Sequence, residues 1–275
     1  MWAGGKNKQI DKLLKHAPAQ FKAYHEPFVG SGSLFMGLKL NGKHVYLNDS
    51  NCGLMSMYAH ICLDPKQLMK ILRRYQAAVR KEYDQHMPNA GKAIFERVRA
   101  KYNKLKTRNM HGSVNYAAYF MIIITLSFCA IYRENKDGLV TSPYQAQTSS
   151  LCKICKTDRI ESLHAYFSEN IMHLSCTDFE VVLKQAKAGD FVYLDPPYWA
   201  KHIAYSSKGF DFAEQLRVCE VFEKLSKRGC KVMLSNSDTK EIRKLFKNHR
   251  IRQLRVDRTS HKNNDVIYEI LVTNY

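Results

Sequence analysis

The sequence predicts an α/β fold, a largely parallel sheet whose chain is interrupted by a basic helical insertion. Three observations lead there. A strand–loop–helix–strand unit with short connections opens the chain, between about 22 and 47. Strand-like runs are then almost absent from about 54 to 166, where helical spacing and dense Lys/Arg take over. They return after 170 in alternation with helical segments, the pattern of βαβ units.

The elements read in order as follows. An amphipathic helix falls near 9–16, a strand at 22–25, and a helix at 34–40 after the loop Glu26-Pro27-Phe28-Val29-Gly30-Ser31-Gly32-Ser33. A second strand follows at 44–47. The middle of the chain reads as helices at 70–81, 92–108 and 116–132. Strand-like runs then occupy 171–176, 191–194, 231–235, 251–256 and 266–273, with helices near 214–227 and 240–246. We therefore expect a discontinuous layout. Residues 1–54 and 167–275 form one α/β domain, and 55–166 form the helical insertion.

Composition narrows the class of partner. The 275 residues carry 43 Lys+Arg against 25 Asp+Glu, a net charge of +18. A polyanion is the natural partner of such a chain, and nucleic acid is the commonest one. The longest apolar run, 119–128, is far too short to cross a membrane. The start Met1-Trp2-Ala3-Gly4-Gly5-Lys6 lacks an apolar signal region, so a cytoplasmic, non-secreted protein is expected. Cys152 and Cys155 form a lone C-x-x-C without a second pair at zinc spacing, and no metal is expected.

The chemistry concentrates at the ends of strands. Asp195-Pro196-Pro197-Tyr198 directly follows the apolar run Phe191-Val192-Tyr193-Leu194. Two prolines stop the ladder there, leaving an acid, carbonyls without an obvious donor and an aromatic ring at a strand's carboxyl end. In open α/β sheets that is where ligands bind. The glycine loop at Gly30 and Gly32 lacks the Gly-Lys-Ser/Thr of a phosphate loop and has Phe35 where G-x-G-x-x-G needs glycine. Asp49 follows the second strand, nineteen positions after Gly30, where an acid can grip both hydroxyls of a ribose. A glycine loop and a ribose acid without a pyrophosphate site suit a nucleoside-containing cofactor, and S-adenosylmethionine fits that description.

Asp195 and the Pro196 carbonyl can accept hydrogen bonds from a flat amino group such as adenine N6. That favours a pyramidal nitrogen with a localised lone pair, able to attack a sulfonium methyl in line. Tyr198 would stack on the base. A base inside a duplex cannot reach such a site, so it must be flipped out or supplied single-stranded. The basic insertion would then follow the phosphates.

Together these residues resemble the Dam-type DNA adenine-N6 methyltransferases of the D12 class, whose order is cofactor motifs, target-recognition region, then DPPY. Trp2-Ala3-Gly4-Gly5-Lys6 is similar to that family's W-A-G-G-K, and the loop from Glu26 to Ser33 to its E-P-F-x-G-x-G-S. Ser235-Asn236-Ser237-Asp238-Thr239 resembles S-N-x-D-T, and the ending Glu269-Ile270-Leu271-Val272-Thr273-Asn274-Tyr275 resembles E-L-L-x-x-N-Y. The resemblance implies a Rossmann-like S-adenosylmethionine-dependent methyltransferase sheet with an inserted helical DNA-recognition region.

It also implies roles for single residues. Asp195, Pro196 and Tyr198 would act in catalysis. Trp2, Lys6, Glu26, Phe28, Gly30, Gly32, Asp49 and Asp195 would contact the cofactor, and Asp178-Phe179 would hold its adenine. Residues 128–138 are similar to the family's [YF]-N-G-x-x-R-x-N-x-x-G block. Phe128 would fill the space left by the flipped base, Arg133 would read a guanine, and Asn135 would touch DNA. The chain departs from the pattern in having Cys129-Ala130 for Asn-Gly and Thr125-Leu126 for an upstream Asn-Arg, so its recognition sequence stays open. The bland role for Arg133 is a phosphate contact. Double-stranded DNA is the expected partner, with a cognate restriction endonuclease as a candidate second one. The alternatives are methylation of cytosine N4 or of RNA adenine, or a non-catalytic DNA-binding relative.

Overall fold

The computed structural model describes residues 6, 9–87, 89–145, 153–199, 210–256 and 267–275. The chain packs as two compact units, one joining Lys6–Ser50 to Asn170–Tyr275 and the other built around Asn51–Glu169.

The first unit holds a sheet that has seven strands among the described residues. These are β1 (Tyr24–Glu26), β2 (His44–Asn48), β3 (Ile171–Ser175), β4 (Phe191–Leu194), β5 (Lys231–Ser237), β6 (Arg250–Val256) and β7 (Ile267–Thr273). Their order is β3-β2-β1-β4-β5-β7-β6. Strands β1 to β5 pair in parallel, while β7 runs antiparallel to both β5 and β6.

All four residues of β4 are buried, as a central strand covered on both faces requires. The alternate positions Val192/Leu194, Val232/Leu234 and Ile270/Val272 share one core cluster. It also takes in residues of α8 (Phe179–Leu183), α9 (Phe212–Lys227) and α10 (Lys240–Leu245). Each such side chain contributes about 1.5–3 kcal/mol by leaving water. Asp190, at the entry of β4, ties this strand to β1: it accepts from the Ala23 N–H at 3.2 Å and meets His25 Nε2 at 3.1 Å.

Chain order reverses between β1 and β4, since β1 continues through β2 toward β3 and β4 through β5 toward β6. The carboxyl ends of β1 and β4 therefore flank the switch point of the sheet, the crevice where open α/β sheets bind ligands. Glu26 ends β1, and Asp195 follows β4. The other helices of this unit, α1 (Ile10–His16) and α2 (Ser33–Gly37), touch each other.

The second unit is helical: α3 (Cys52–Leu63), α4 (Pro65–Asp84), α5 (Lys92–Thr107), α6 (Val114–Leu126) and α7 (Thr157–Ser168). Side chains cap three of these helices. Asn51 accepts from Leu54 N, Asp64 from Lys66 N and Gln67 N, and Ser113 from Tyr116 N. Helix α6 is apolar and nine of its 13 residues are buried, so it forms the centre on which α3, α4 and α5 pack. Helices α4 and α5 keep Lys70, Arg73, Arg74, Lys81, Arg97 and Lys101 exposed.

The helix read from the sequence across 116–132 ends early, at Leu126. Ser127 leaves the helical region, its hydroxyl donates back to the Ile123 carbonyl at 2.6 Å, and its backbone bridges to Tyr144. The segment beyond is an irregular loop. Among the described residues no helix is long and apolar enough to cross a membrane.

Candidate active site

The loop after β1 is shaped by two glycines. Gly30 (φ 47°) and Gly32 (φ 70°) both lie in the left-handed region, where a Cβ is strained. At Gly32 a Cβ would also stand 2.0 Å from the Phe35 ring. Asp49 reaches this loop from the end of β2, its Oδ2 accepting from the Gly30 N–H at 3.1 Å. The glycine loop and the expected ribose acid are thus brought together. Asn48, buried beside Asp49, ties three segments into one floor. It donates to the carbonyls of Pro27 and Thr177, and accepts from Thr177 N and Ser175 Oγ, all at 2.8–3.1 Å.

An aromatic patch lies beside this floor. Phe28, after β1, packs against Phe179, after β3, with ring centroids 5.0 Å apart, and both approach Phe210. Asp178 caps α8 through Glu180 N and is gripped by both Nη2 contacts of Arg217, at 2.9 and 3.0 Å. The same guanidinium lies 4.8 Å over the Phe179 ring. The acid–aromatic pair is therefore prepositioned by a residue that sequence reading passed over.

At the end of β4, Asp195 meets Lys6 and Glu269. Lys6 Nζ lies 3.4 Å from Asp195 Oδ1 and 3.1 Å from Glu269 Oε2. The Tyr198 hydroxyl donates to Glu269 Oε2 at 2.9 Å and receives a hydrogen bond from the Lys6 ammonium. Burial pushes the Asp195 carboxyl up to about 6; the Lys6 ammonium opposes this and the Glu269 carboxylate adds to it. Asp195 Oδ1 is buried with no hydrogen-bond partner among the described residues, only the long ion pair to Lys6. Glu26 sits fully buried, its Oε2 accepting from the Tyr24 hydroxyl at 2.9 Å, and burial pushes its carboxyl well above the usual range.

The expected pair of unclaimed carbonyls needs one correction. Gln215 on α9 donates to the Pro197 carbonyl at 2.8 Å and accepts from buried Asn236 at 2.8 Å. Pro196 is buried, and its carbonyl has no donor among the described residues. Among the described residues, the acceptors at this turn without a hydrogen-bonded donor are therefore Asp195 Oδ1 and the Pro196 carbonyl. Trp2 lies outside the described residues.

In the helical unit, Phe128 opens a short 3-10 turn with its ring 52% exposed. Cys129 (φ 51°) and Ala130 (φ 54°), where the resembling block has Asn-Gly, both adopt left-handed backbone. Arg133 is exposed; its N–H donates to Ser142 Oγ at 3.0 Å, and its carbonyl accepts from Thr141 N at 2.9 Å. Asn135 Oδ1 accepts from Asp137 N and Leu139 N at 3.1 and 2.8 Å, so its side chain organises the turn. Helix α5 holds this loop by its backbone. Asn103 exchanges two hydrogen bonds with Val140, at 2.9 and 3.1 Å, and Arg99 donates to the Ser142 carbonyl at 2.8 Å.

A parallel sheet with an inserted antiparallel strand, a glycine loop tied to an acid, and a buried acid at the switch point define a Rossmann-like methyltransferase. The comparisons with known proteins supply the particular family. The profile of the D12 class N6 adenine-specific DNA methyltransferases matches residues 2–261, and the chain belongs to that family. It is 30% identical to the type II methyltransferase M1.LlaDCHI of Lactococcus lactis subsp. cremoris, over 100% of this chain and 94% of the relative. Identity is also 30% to the type II methyltransferase M.MjaIII of Methanocaldococcus jannaschii, over 100% and 97%. With the DNA adenine methylase of Escherichia coli K12 it is 24%, over 95% and 88%. The protein is an adenine-specific DNA methyltransferase, a transferase that acts on DNA and uses a methyl donor.

Proposed function

We propose that the methyl donor is S-adenosylmethionine, and that the strand-end site takes it together with an adenine flipped out of duplex DNA. The observation that carries this is the buried Asp195 Oδ1 beside the Pro196 carbonyl, neither of which meets a hydrogen-bond donor among the described residues. Two acceptors on adjacent residues match the two N–H groups of an exocyclic amine. The floor fits a nucleoside: Asp49 for the ribose hydroxyls, Gly30 and Gly32 for close backbone approach, and Phe28 and Phe179 for the purine. Bound there, S-adenosylmethionine supplies a methyl group on a cationic sulfur.

The chain's own residues do the rest. Asp195 and Pro196 orient the amine and draw its lone pair out of conjugation, which favours direct in-line transfer without a covalent enzyme intermediate. Tyr198, held by Glu269 and Lys6, presents its ring as a wall for the base. The helical unit around Asn51–Glu169 is the target-recognition domain in this reading, inserted into the catalytic one. Its exposed lysines and arginines follow the phosphates, Arg133 reads a base edge and Phe128 occupies the vacated stack. Asn135 serves recognition by setting the turn behind Arg133. Two relatives carry the name type II methyltransferase, which favours a cognate restriction endonuclease as a second partner.

The test is incubation with DNA and methyl-labelled S-adenosylmethionine, followed by digestion to nucleosides. Label is expected in N6-methyladenine alone; label in N4-methylcytosine, or none at all, would overturn the reading.

A further inference from the structure

Arg217 lies on α9, and its guanidinium makes five contacts to three carboxylates. Nη2 meets both oxygens of Asp178 at 2.9 and 3.0 Å, and Nη1 meets both oxygens of Glu214 at 2.9 and 2.8 Å. Nε meets Glu180 at 3.3 Å. The N–H groups of the guanidinium are thereby occupied, so Arg217 acts on a ligand through its partners. Stability does not explain the arrangement. The four side chains are between 31% and 41% exposed, where ion pairs contribute little. Helix α8 is already anchored by its buried Phe179, Val182 and Leu183.

What the grip decides is which part of Asp178 can still accept a hydrogen bond. Oδ1 accepts from the Glu180 N–H at 2.9 Å and from Arg217, which fills its two lone pairs. Among the described residues Oδ2 accepts from Arg217 alone, which leaves it one lone pair in a fixed direction. Asp178 directly follows Thr177, which Asn48 fastens to the floor next to Asp49 and the Gly30 loop. Its neighbour Phe179 packs on Phe28. A carboxylate accepts hydrogen bonds and donates none. One fixed lone pair there suits an N–H of a purine amine and opposes a carbonyl in the same place.

We propose that Arg217 is a positioning residue that makes the donor site select adenine, by aiming the remaining lone pair of Asp178 at the amino group of the cofactor's purine. This rests on the S-adenosylmethionine reading above. Without the guanidinium, the Asp178 carboxylate keeps only its cap to Glu180 N and can turn its other oxygen toward water.

The experiment compares S-adenosylhomocysteine with S-inosylhomocysteine, which carry an amine and a carbonyl respectively on the six-membered ring of the purine. Dissociation constants are measured by calorimetry on the full chain without DNA. The wild type is expected to prefer the adenine form by about tenfold or more. Arg217→Met keeps an apolar cover on Phe179 and removes every donor. It is expected to cut the preference to about threefold or less, chiefly by weakening the adenine form. Arg217→Lys, which can hold one oxygen, should fall between. In turnover on DNA, Arg217→Met should raise KM for S-adenosylmethionine about tenfold while kcat stays within about threefold. Melting curves verify folding, and Arg217→Lys decides the matter if Arg217→Met does not fold. Unfolding of both variants would make Arg217 a structural residue and overturn the proposal. So would an unchanged preference, including equal weakening of both compounds. A wild type that binds the two alike would overturn it while leaving the methyl donor intact, whereas one that binds neither would overturn the donor reading as well.

Discussion

The strand-end site and the loop at 127–145 are held in opposite ways. At the strand ends the functional side chains themselves are fixed: Asp195, Tyr198, Lys6 and Glu269 hold one another in partial or full burial. In the loop the backbone is fixed, by Asn103 and Arg99 of α5 and by Ser142, while Phe128 and Arg133 extend into solvent. The electrostatic cost at the strand ends and the left-handed strain at Cys129 and Ala130 follow the same division. Chemistry on one amine needs reacting groups placed within fractions of an ångström. Reading a long polymer needs an anchored frame and side chains free to meet it.

Five substitutions can break or sharpen that contrast. The largest effect is expected from Asp195→Ala, which should lower methylation kcat/KM by on the order of 10³-fold. DNA affinity by fluorescence anisotropy should stay within about threefold. Equal losses in both would show that the strand ends also carry the binding.

Asp195→Asn tests the cost of the chemistry. The folded-state value near 6 lies above the ordinary unfolded value near 4, so the ionised carboxylate destabilises the fold above about pH 6 and not below about pH 4. The variant should be more stable than wild type by up to about 3 kcal/mol at pH 8 in urea melts, and equal to it near pH 4. A gain independent of pH would contradict this origin.

Asn103→Ala removes both hydrogen bonds to Val140, a buried residue, and should cost about 2–3 kcal/mol. Because Asn103 acts on the loop backbone, site preference should blur at several positions of a DNA library; preference unchanged in a folded variant would remove α5 from recognition. For Arg133→Ala, discrimination should fall by about 1–3 kcal/mol at a single base. A uniform loss across all sequences would reassign Arg133 to a phosphate.

The smallest effect is expected at Ala130. Its left-handed backbone suits glycine, so Ala130→Gly should gain about 0.5–1 kcal/mol in thermal or urea melts with site preference intact. A loss of stability would mean that the loop relies on the Ala130 methyl group.

Much of the fold and part of the site were legible in local pattern. The apolar run before Asp195 marked a fully buried strand, and the glycines and Asp49 marked the loop that they do form. Helices α3, α7 and α8 were not singled out. α3 is apolar on most sides and α8 spans only five residues, so neither shows a 3.6-residue stripe. The apolar pattern of α6 runs six residues beyond the helix's end at Leu126, because apolar residues continue past Ser127, whose side chain turns back on the helix. Gln215 and Arg217 gave no signal, being polar residues on an ordinary amphipathic helix.

The sequence by itself determined where strands stop and which residue types stand at their ends. Proline, glycine and apolar runs act on the backbone within a few residues of themselves, and no partner is needed to read them. Tertiary structure alone decided which of those ends meet. Tyr198 and Glu269 lie 71 positions apart and Lys6 and Glu269 lie 263 apart, yet they share one carboxylate oxygen. The raised Asp195 carboxyl is a property of that meeting, since neither burial nor Coulomb energy exists for a residue until its neighbours are in place.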